Sequence, residues 1–267
     1  MAGLDRSFGR EAFGADPANY HAARPPYPEA TWAALRERAN LRTGIDVLEI
    51  GAGTGLATMP LMAHDPARLT AIEPDARLAE FLRAKTADER LQVVTAPFEE
   101  TDLPAAAFDL VVSATAFHWL EAETALRRIH GLLRETGAIA LVWNVFGDES
   151  RADAFHEATT HLFAGQRTGP SGGGSGDPVY SLDAELRLAD LTKTGFRPDP
   201  PQFVRWTLSL NPRGVRDLYS TYSNVAALPA AERQTLLESL AAIAEGQFAG
   251  RVERNMTTAI YTARKQP

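Results

Sequence analysis

Three closely spaced glycines, Gly51, Gly53 and Gly55, follow the apolar run VLEI at 47–50, and a helical pattern begins at Leu56. Such a turn carries no Cβ atoms, so a ligand can approach its backbone, and the helix after it offers unpaired N–H groups. The dinucleotide fingerprint G-x-G-x-x-G would need a third glycine at position 56, which is Leu56 here. The pattern is instead E-x-G-x-G-x-G, starting at Glu49. A pyrophosphate wants the helix N-terminus close against it, whereas a sulfonium amino acid carries no phosphate and tolerates an acid beside the turn. Glu73, in AIEPD, ends the next apolar run. A carboxylate there can accept hydrogen bonds from both hydroxyls of a ribose. Nicotinamide enzymes share that feature, so Glu73 points to an adenosine-type ligand without choosing between the two.

Other reactive side chains are fewer. His118 stands in AFHW, just past the fourth apolar run, where parallel-sheet proteins bind ligands. It could act as an acid–base group for a hydroxyl or carbon nucleophile, or could orient its loop while Trp119 packs as a wall. Arg24 beside a proline-rich turn could clamp a carboxylate or lie on the surface. Tyr20, Trp119, Trp143 and Asn144, together with Trp206 and Tyr222, are candidates for an acceptor pocket, and each aromatic could equally serve the core. His21 and His64 are far apart, and His156 and His161 are not on one helical face. No metal site is expected.

The elements that would position these groups alternate. Apolar runs at 45–50, 69–74, 91–96, 108–115 and 138–144 are separated by helical patterns at 56–63, 75–85 and 121–133. Unbroken apolar strands alternating with helices predict a doubly wound, Rossmann-like α/β sheet covered on both faces. Ahead of it lies an arm with RPPYP at 24–28 and a helix over 29–39, so 1–45 reads as an arm and first helix covering the site, and 46–145 as the core. Residues 146–201 read as an insertion, with a helix over 150–165 and a Gly/Pro/Ser-rich stretch at 165–178 that is either a flexible linker or a lid. A helix over 183–194 follows. Residues 202–267 then supply a strand at 202–210 with Phe203 facing the core, helices over 211–221 and 230–248, and a closing strand at 255–265.

The chain has 267 residues, 45% hydrophobic and 23% charged, with net charge −7 and no cysteine. The acidic balance argues against a nucleic-acid binder. The absence of cysteine excludes disulfides, thiolate metal sites and a cysteine nucleophile. No apolar stretch suits a membrane span or an N-terminal signal core, so a soluble cytoplasmic protein is expected, as a monomer or homodimer.

VLEIGAGTG, AIEPD, APFEETDLP, FDLVVSATAFHWL and LLRETGAIALVWN, read together, resemble the class I S-adenosylmethionine-dependent methyltransferases. Within them, the resemblance is to the small-molecule branch that includes trans-aconitate-type enzymes. It extends to the arm, through Phe13, Tyr20, Arg24, Pro25, Tyr27 and Pro28, and to the tail from LYSTYSNVAALP to the C-terminal strand. The resemblance implies a seven-stranded, mostly parallel sheet of order 3-2-1-4-5-7-6 with an antiparallel final strand. It further implies that Glu49, Gly51, Ala52, Gly53 and Gly55 surround the methionine part of S-adenosylmethionine, and that Glu73 with Pro74 holds the ribose. Ala96, Pro97 and Phe98 would lie along the adenine, and Ser113, Ala114 and Thr115 near the methionine amine or sulfonium. Thr95 stands where many relatives carry an acid for the adenine amino group. The reaction expected is methyl transfer to a small-molecule oxygen, nitrogen or carbon, leaving S-adenosylhomocysteine, without nucleic acid or membrane partners. A nicotinamide-dependent oxidoreductase and a catalytically silent S-adenosylmethionine-binding regulator are the competing readings.

Overall fold

The computed structural model describes residue 8 and residues 13–147, 150–166 and 179–266. One mixed sheet organises them. Strands β1 (Asp46–Ile50), β2 (Arg68–Ile72), β3 (Leu91–Val94), β4 (Phe108–Ala114) and β5 (Leu133–Phe146) pair in parallel in the order β3-β2-β1-β4-β5. Alternate residues serve opposite faces. Val47, Leu110, Val112 and Ala140 pack under α2 (Glu29–Arg38), α3 (Thr58–Met62) and α4 (Ala76–Lys85) through Leu35, Leu61 and Leu82. Leu48, Val111, Ile139 and Leu141 pack under α5 (Ala122–Leu132) and α7 (Ala184–Lys193) through Leu126, Ile129 and Leu191. Burial on both faces explains why these strands are unbroken apolar runs.

The other half of the sheet corrects the expected strand count. β8 (Val252–Lys265) runs antiparallel to β5, and its far edge is taken by two strands, β6 (Phe196–Pro198) and β7 (Gln202–Leu210), so the sheet has eight strands and not seven. Pro200 and Pro201 interrupt that edge because they have no N–H to donate to a ladder. Asp199 holds the interruption in place: its N–H donates to Thr262 O at 2.9 Å and its carboxylate accepts from Thr262 Oγ1 at 2.7 Å. β5 also begins earlier than its apolar run at 138–144, because α5 passes directly into it at Leu133.

Other differences are local. The arm contains a helix the sequence pattern did not suggest, α1 (Pro17–Ala23), whose N-terminus is capped by Asp16 accepting from Asn19 N–H at 2.9 Å. The helix expected over 150–165 is shorter: α6 (Ala154–Thr159), followed by a single 3-10 turn to Phe163. Most of the Gly-rich stretch at 165–178 lies outside the described residues. Trp206 does not line an acceptor pocket; it sits half-buried on β7, and its indole N–H donates to Thr258 Oγ1 at 2.9 Å on β8.

A third apolar cluster ties α6, α8 (Pro212–Ser220), α9 (Ser223–Ala226) and α10 (Ala230–Phe248) to the start of β8 through Phe155, Val215, Val225, Leu240 and Val252. At its centre is a cation. The Arg254 side chain is 4% exposed, Nε donates to Asp153 Oδ2 at 2.8 Å, and Nη1 donates to the Tyr219 hydroxyl. Its guanidinium lies 5.6–5.9 Å from the ring centroids of Phe146, Phe155 and Tyr219. Asp153 also caps α6 by accepting from His156 N–H at 2.9 Å. Asp153→Ala, which leaves this cation buried and unpaired, is expected to cost about 3–5 kcal/mol in urea unfolding. Adding Arg254→Met to it is expected to recover part of that loss.

Candidate active site

The glycine turn joins β1 to α3 and is pinned to β2: Gly51 N–H and Ala52 N–H both donate to Ile72 O, at 2.9 and 3.0 Å. Gly51 and Gly55 have φ of 74° and 91°, and their constraint is also steric. A Cβ at Gly51 would stand 2.3 Å from Ala116 Cβ, and one at Gly55 would stand 2.6 Å from Leu82 Cδ1. Gly53, at φ 56°, has nothing within 4 Å of its missing Cβ and forms an open cradle on the wall of a cavity.

Two buried carboxylates line that cavity. Glu73 is 5% exposed; its Oε2 accepts from Gly53 N–H at 2.8 Å and its Oε1 from Asp75 N–H at 2.9 Å. It therefore staples the turn to the start of α4. Burial pushes its pKa up to about 7, against the opposing pull of those two N–H groups. Glu49 is 1% exposed and accepts from Thr58 Oγ1 at 2.6 Å. Burial, reinforced by the charge of Glu73, pushes its pKa up to about 8. Among the described residues the wall carries no lysine or arginine. Its far end is apolar, made by Leu78, Pro97, Phe98 and Leu120, with Glu99 at the edge.

The arm covers this cavity with Phe13, Tyr20 and Tyr27. His21 Nδ1 and Thr54 Oγ1, in the glycine turn, are hydrogen-bonded at 3.1 Å, and Asn19 Nδ2 donates to Ser220 Oγ at 2.9 Å. A second cavity adjoins the first, and Phe13, Tyr20, Thr115 and Trp119 belong to both walls. Thr115 is the structural outlier here: a β-branched residue with φ 55°, held by N–H donation to Val142 O at 2.7 Å and by a 2.8 Å bond between its hydroxyl and that of Tyr27.

The second cavity gathers Tyr20, Arg24, His118, Trp119, Trp143 and Asn144 on one wall system. Arg24 donates to Thr221 O at 2.7 Å and lies 5.2 Å from the ring centroids of both Tyr20 and Tyr222, while its buried Nε has no hydrogen-bond partner. Both amide hydrogens of Asn144 are committed. Its amide donates to Pro25 O and Pro26 O at 3.1 and 3.2 Å, and its oxygen accepts from Thr258 at 2.7 Å, so it latches the arm to β5 and β8. His118 is 5% exposed, Trp143 Nε1 donates to its Nδ1 at 3.1 Å, and burial lowers its pKa to about 3.

Of the residues expected on the cofactor wall, Glu49, Gly51, Ala52, Gly53, Glu73, Pro74, Pro97, Phe98, Ala114 and Thr115 lie there. Three do not. Ser113 is fully buried and donates to Ile50 O at 3.0 Å, because strand alternation turns it away from the side of Ala114. Ala96 faces a separate groove with Val94 and Leu103, since the chain turns inward only at Pro97. Gly55 serves the close approach of the turn to α4 instead of the wall. Thr95 is exposed and accepts from Arg83 at 2.7 Å. Tyr27, Phe13 and Leu78 also line the wall; their signals in the sequence are the aromatic spacing of the arm and an apolar residue in the first turn after Glu73.

Residues 48–141 match the family model described as a methyltransferase domain. An uncharacterised methyltransferase of Schizosaccharomyces pombe is 26% identical over 262 residues, covering 96% of this chain and 97% of that one. One of Mycobacterium tuberculosis is 29% identical over 227 residues, covering 85% and 83%. Among solved structures, a candidate type II methyltransferase from Anaeromyxobacter dehalogenans superposes with TM-score 0.63 at 21% identity, over 91% of this chain and 99% of that one. Phosphoethanolamine N-methyltransferase 2 from Haemonchus contortus, solved with S-adenosylhomocysteine, gives 0.56 at 15% identity, over 95% and 58%. Residues 48–141 thus resemble a methyltransferase domain, and the solved structures share the Rossmann-like α/β fold of this chain.

The raised Glu49 pKa has a sign. The folded protein holds a proton on Glu49 that the unfolded chain releases near 4.5, so this group's contribution to stability falls as pH rises from about 4.5 to about 8. Glu49→Gln is therefore expected to raise the melting temperature of the ligand-free protein clearly at about pH 8.5 and little at about pH 5, as read by calorimetry at both pH values.

Proposed function

We propose that this protein transfers a methyl group from S-adenosylmethionine to a small-molecule acceptor held in the second cavity. The observation that carries the reading is the pair of adjoining cavities with a common wall at Thr115 and Trp119, one of them built on the glycine turn and two buried acids. The donor set of the first cavity suits this group. Each Glu73 oxygen takes one backbone N–H and keeps a lone pair for a ribose hydroxyl. Glu49, protonated up to about pH 8 without a ligand, would ionise beside an ammonium or sulfonium, and Leu78, Pro97, Phe98 and Leu120 offer apolar surface to an adenine. The same acids, with no cation on the described wall, oppose a pyrophosphate, which disfavours a nicotinamide dinucleotide.

When bound, S-adenosylmethionine supplies an electrophilic methyl on a good leaving group, so the protein's main task is placement. Thr115, Trp119 and the arm residues Phe13 and Tyr20 form the boundary across which the acceptor must meet it. Arg24 is the one charged side chain among the described residues of the second cavity, if His118 is counted as neutral. Its guanidinium, on the wall of the second cavity, is the group offered to an anionic acceptor. Tyr20 and Trp119 supply the aromatic wall, Trp143 backs it, and Asn144 acts through the arm.

The test begins with calorimetric titration of the purified protein with S-adenosylmethionine, S-adenosylhomocysteine and NADH in parallel. The two sulfur compounds are expected to bind, with affinity reduced in Glu73→Gln; binding of NADH alone would refute the reading. A gain of one methyl mass on a member of an acceptor panel then establishes turnover, whereas tight cofactor binding without any product favours a silent binding protein. Arg24→Gln is expected to raise KM for an anionic acceptor roughly 10- to 100-fold, the range of a charge-assisted hydrogen bond, with cofactor affinity unchanged.

A further inference from the structure

His118 is the only imidazole on the wall of the second cavity among the described residues. Its protonation state follows from its neighbour. An indole N–H can only donate, and Trp143 Nε1 points at His118 Nδ1 from 3.1 Å. Nδ1 must therefore carry the lone pair, and the ring proton sits on Nε2. Trp143 cannot turn away, because it is 2% exposed and held edge-on between the rings of Tyr180 and Tyr261, with centroids at 5.9 and 6.0 Å. The groups around the imidazole are Trp119 and Tyr180, at 5.3 and 6.4 Å between centroids, and the cation of Arg24. Both the burial and that cation oppose a second proton on the ring.

From this geometry we infer that Trp143 locks His118 as a fixed Nε2–H donor toward the acceptor, so that His118 is a positioning residue and not a general base. The inference rests on the methyl-transfer reading and narrows it. The remaining polar groups on the described wall are hydroxyls and amides, such as Ser181, Ser223 and Asn224, with the Arg24 guanidinium. None of these removes a proton readily. The acceptor must then arrive with its attacking lone pair already free of a proton. With S-adenosylmethionine bound, that lone pair would form the bond to the methyl carbon while the C–S electron pair went to sulfur, and no proton would need to pass to the protein. His118 Nε2–H and Arg24 together favour an acceptor that presents oxygen over one that presents an ammonium.

Nitrogen-15 labelling of histidine reads this state directly by NMR. His118 is expected to show an unprotonated Nδ1 and a protonated Nε2 between about pH 5 and 8, with or without S-adenosylhomocysteine. Trp143→Phe is expected to mix the tautomers; where that variant does not fold, the wild-type spectrum decides alone. In the protein loaded with S-adenosylhomocysteine, benzoate is expected to shift the Nε2–H resonance and benzylamine to leave it unmoved. His118→Gln, which keeps an N–H donor, is expected to hold benzoate affinity within about threefold, and His118→Leu to weaken it about tenfold. A proton on Nδ1, titration within that pH range, or benzoate binding indifferent to His118→Leu would overturn the inference. Failure of S-adenosylhomocysteine to bind would instead sink the methyl-transfer reading, while the tautomer of the ligand-free protein still decides the lock.

Discussion

The Glu73 carboxylate is the interaction on which the site depends. Taking a carboxylate out of water is costly unless its oxygens are bonded, and here each is, one by Gly53 in the turn and one by Asp75 at the start of α4. The same two bonds set the distance between the β1–α3 turn and the β2–α4 turn, so the cradle of the first cavity has a defined width. Glu49, buried behind it, shares the low-dielectric environment and is raised further by its charge. Two acids buried together disfavour their charged forms, and a cationic ligand would favour them.

The arm is the second constraint. It has little core of its own, since α1 buries no residue completely, and it is held by polar latches instead. Asn144 receives the proline turn, Thr115 receives Tyr27, and Thr54 receives His21. Thr115 shows what this costs: a β-branched residue in the left-handed region carries on the order of 1–3 kcal/mol of strain. It persists because the bond to Val142 O and the bond to Tyr27 over-determine it. The strained residue is also one that both cavities share.

The fold does not choose the reaction. Chemistry on this scaffold comes from the side chains around the strand ends, where this chain places the acids of the first cavity and Arg24, His118 and Trp143 on the wall of the second.

Local patterns in the sequence were enough to locate the strands β1 to β4, the glycine turn, Glu49 and Glu73. Each has a local signature within a strand–turn–helix unit: apolar runs buried on both faces, positive φ, and an acid at the end of a strand just before a helix. Resemblance to a family supplied most of the remaining wall. What neither could supply was contact between distant segments. Ser113 and Ala96 share strand ends with true wall residues, and only the sheet's alternation and the turn at Pro97 direct them elsewhere. Asn144 lines the second cavity as expected, but Pro25 and Pro26, from far upstream, occupy its amide hydrogens. His118 reads as a base until Trp143, carried by a different strand, takes its lone pair. The sequence determined which groups are present and roughly where they stand along the sheet. The tertiary structure decided which lone pairs and protons remain free, because that depends on partners brought together only when the strands and the arm assemble.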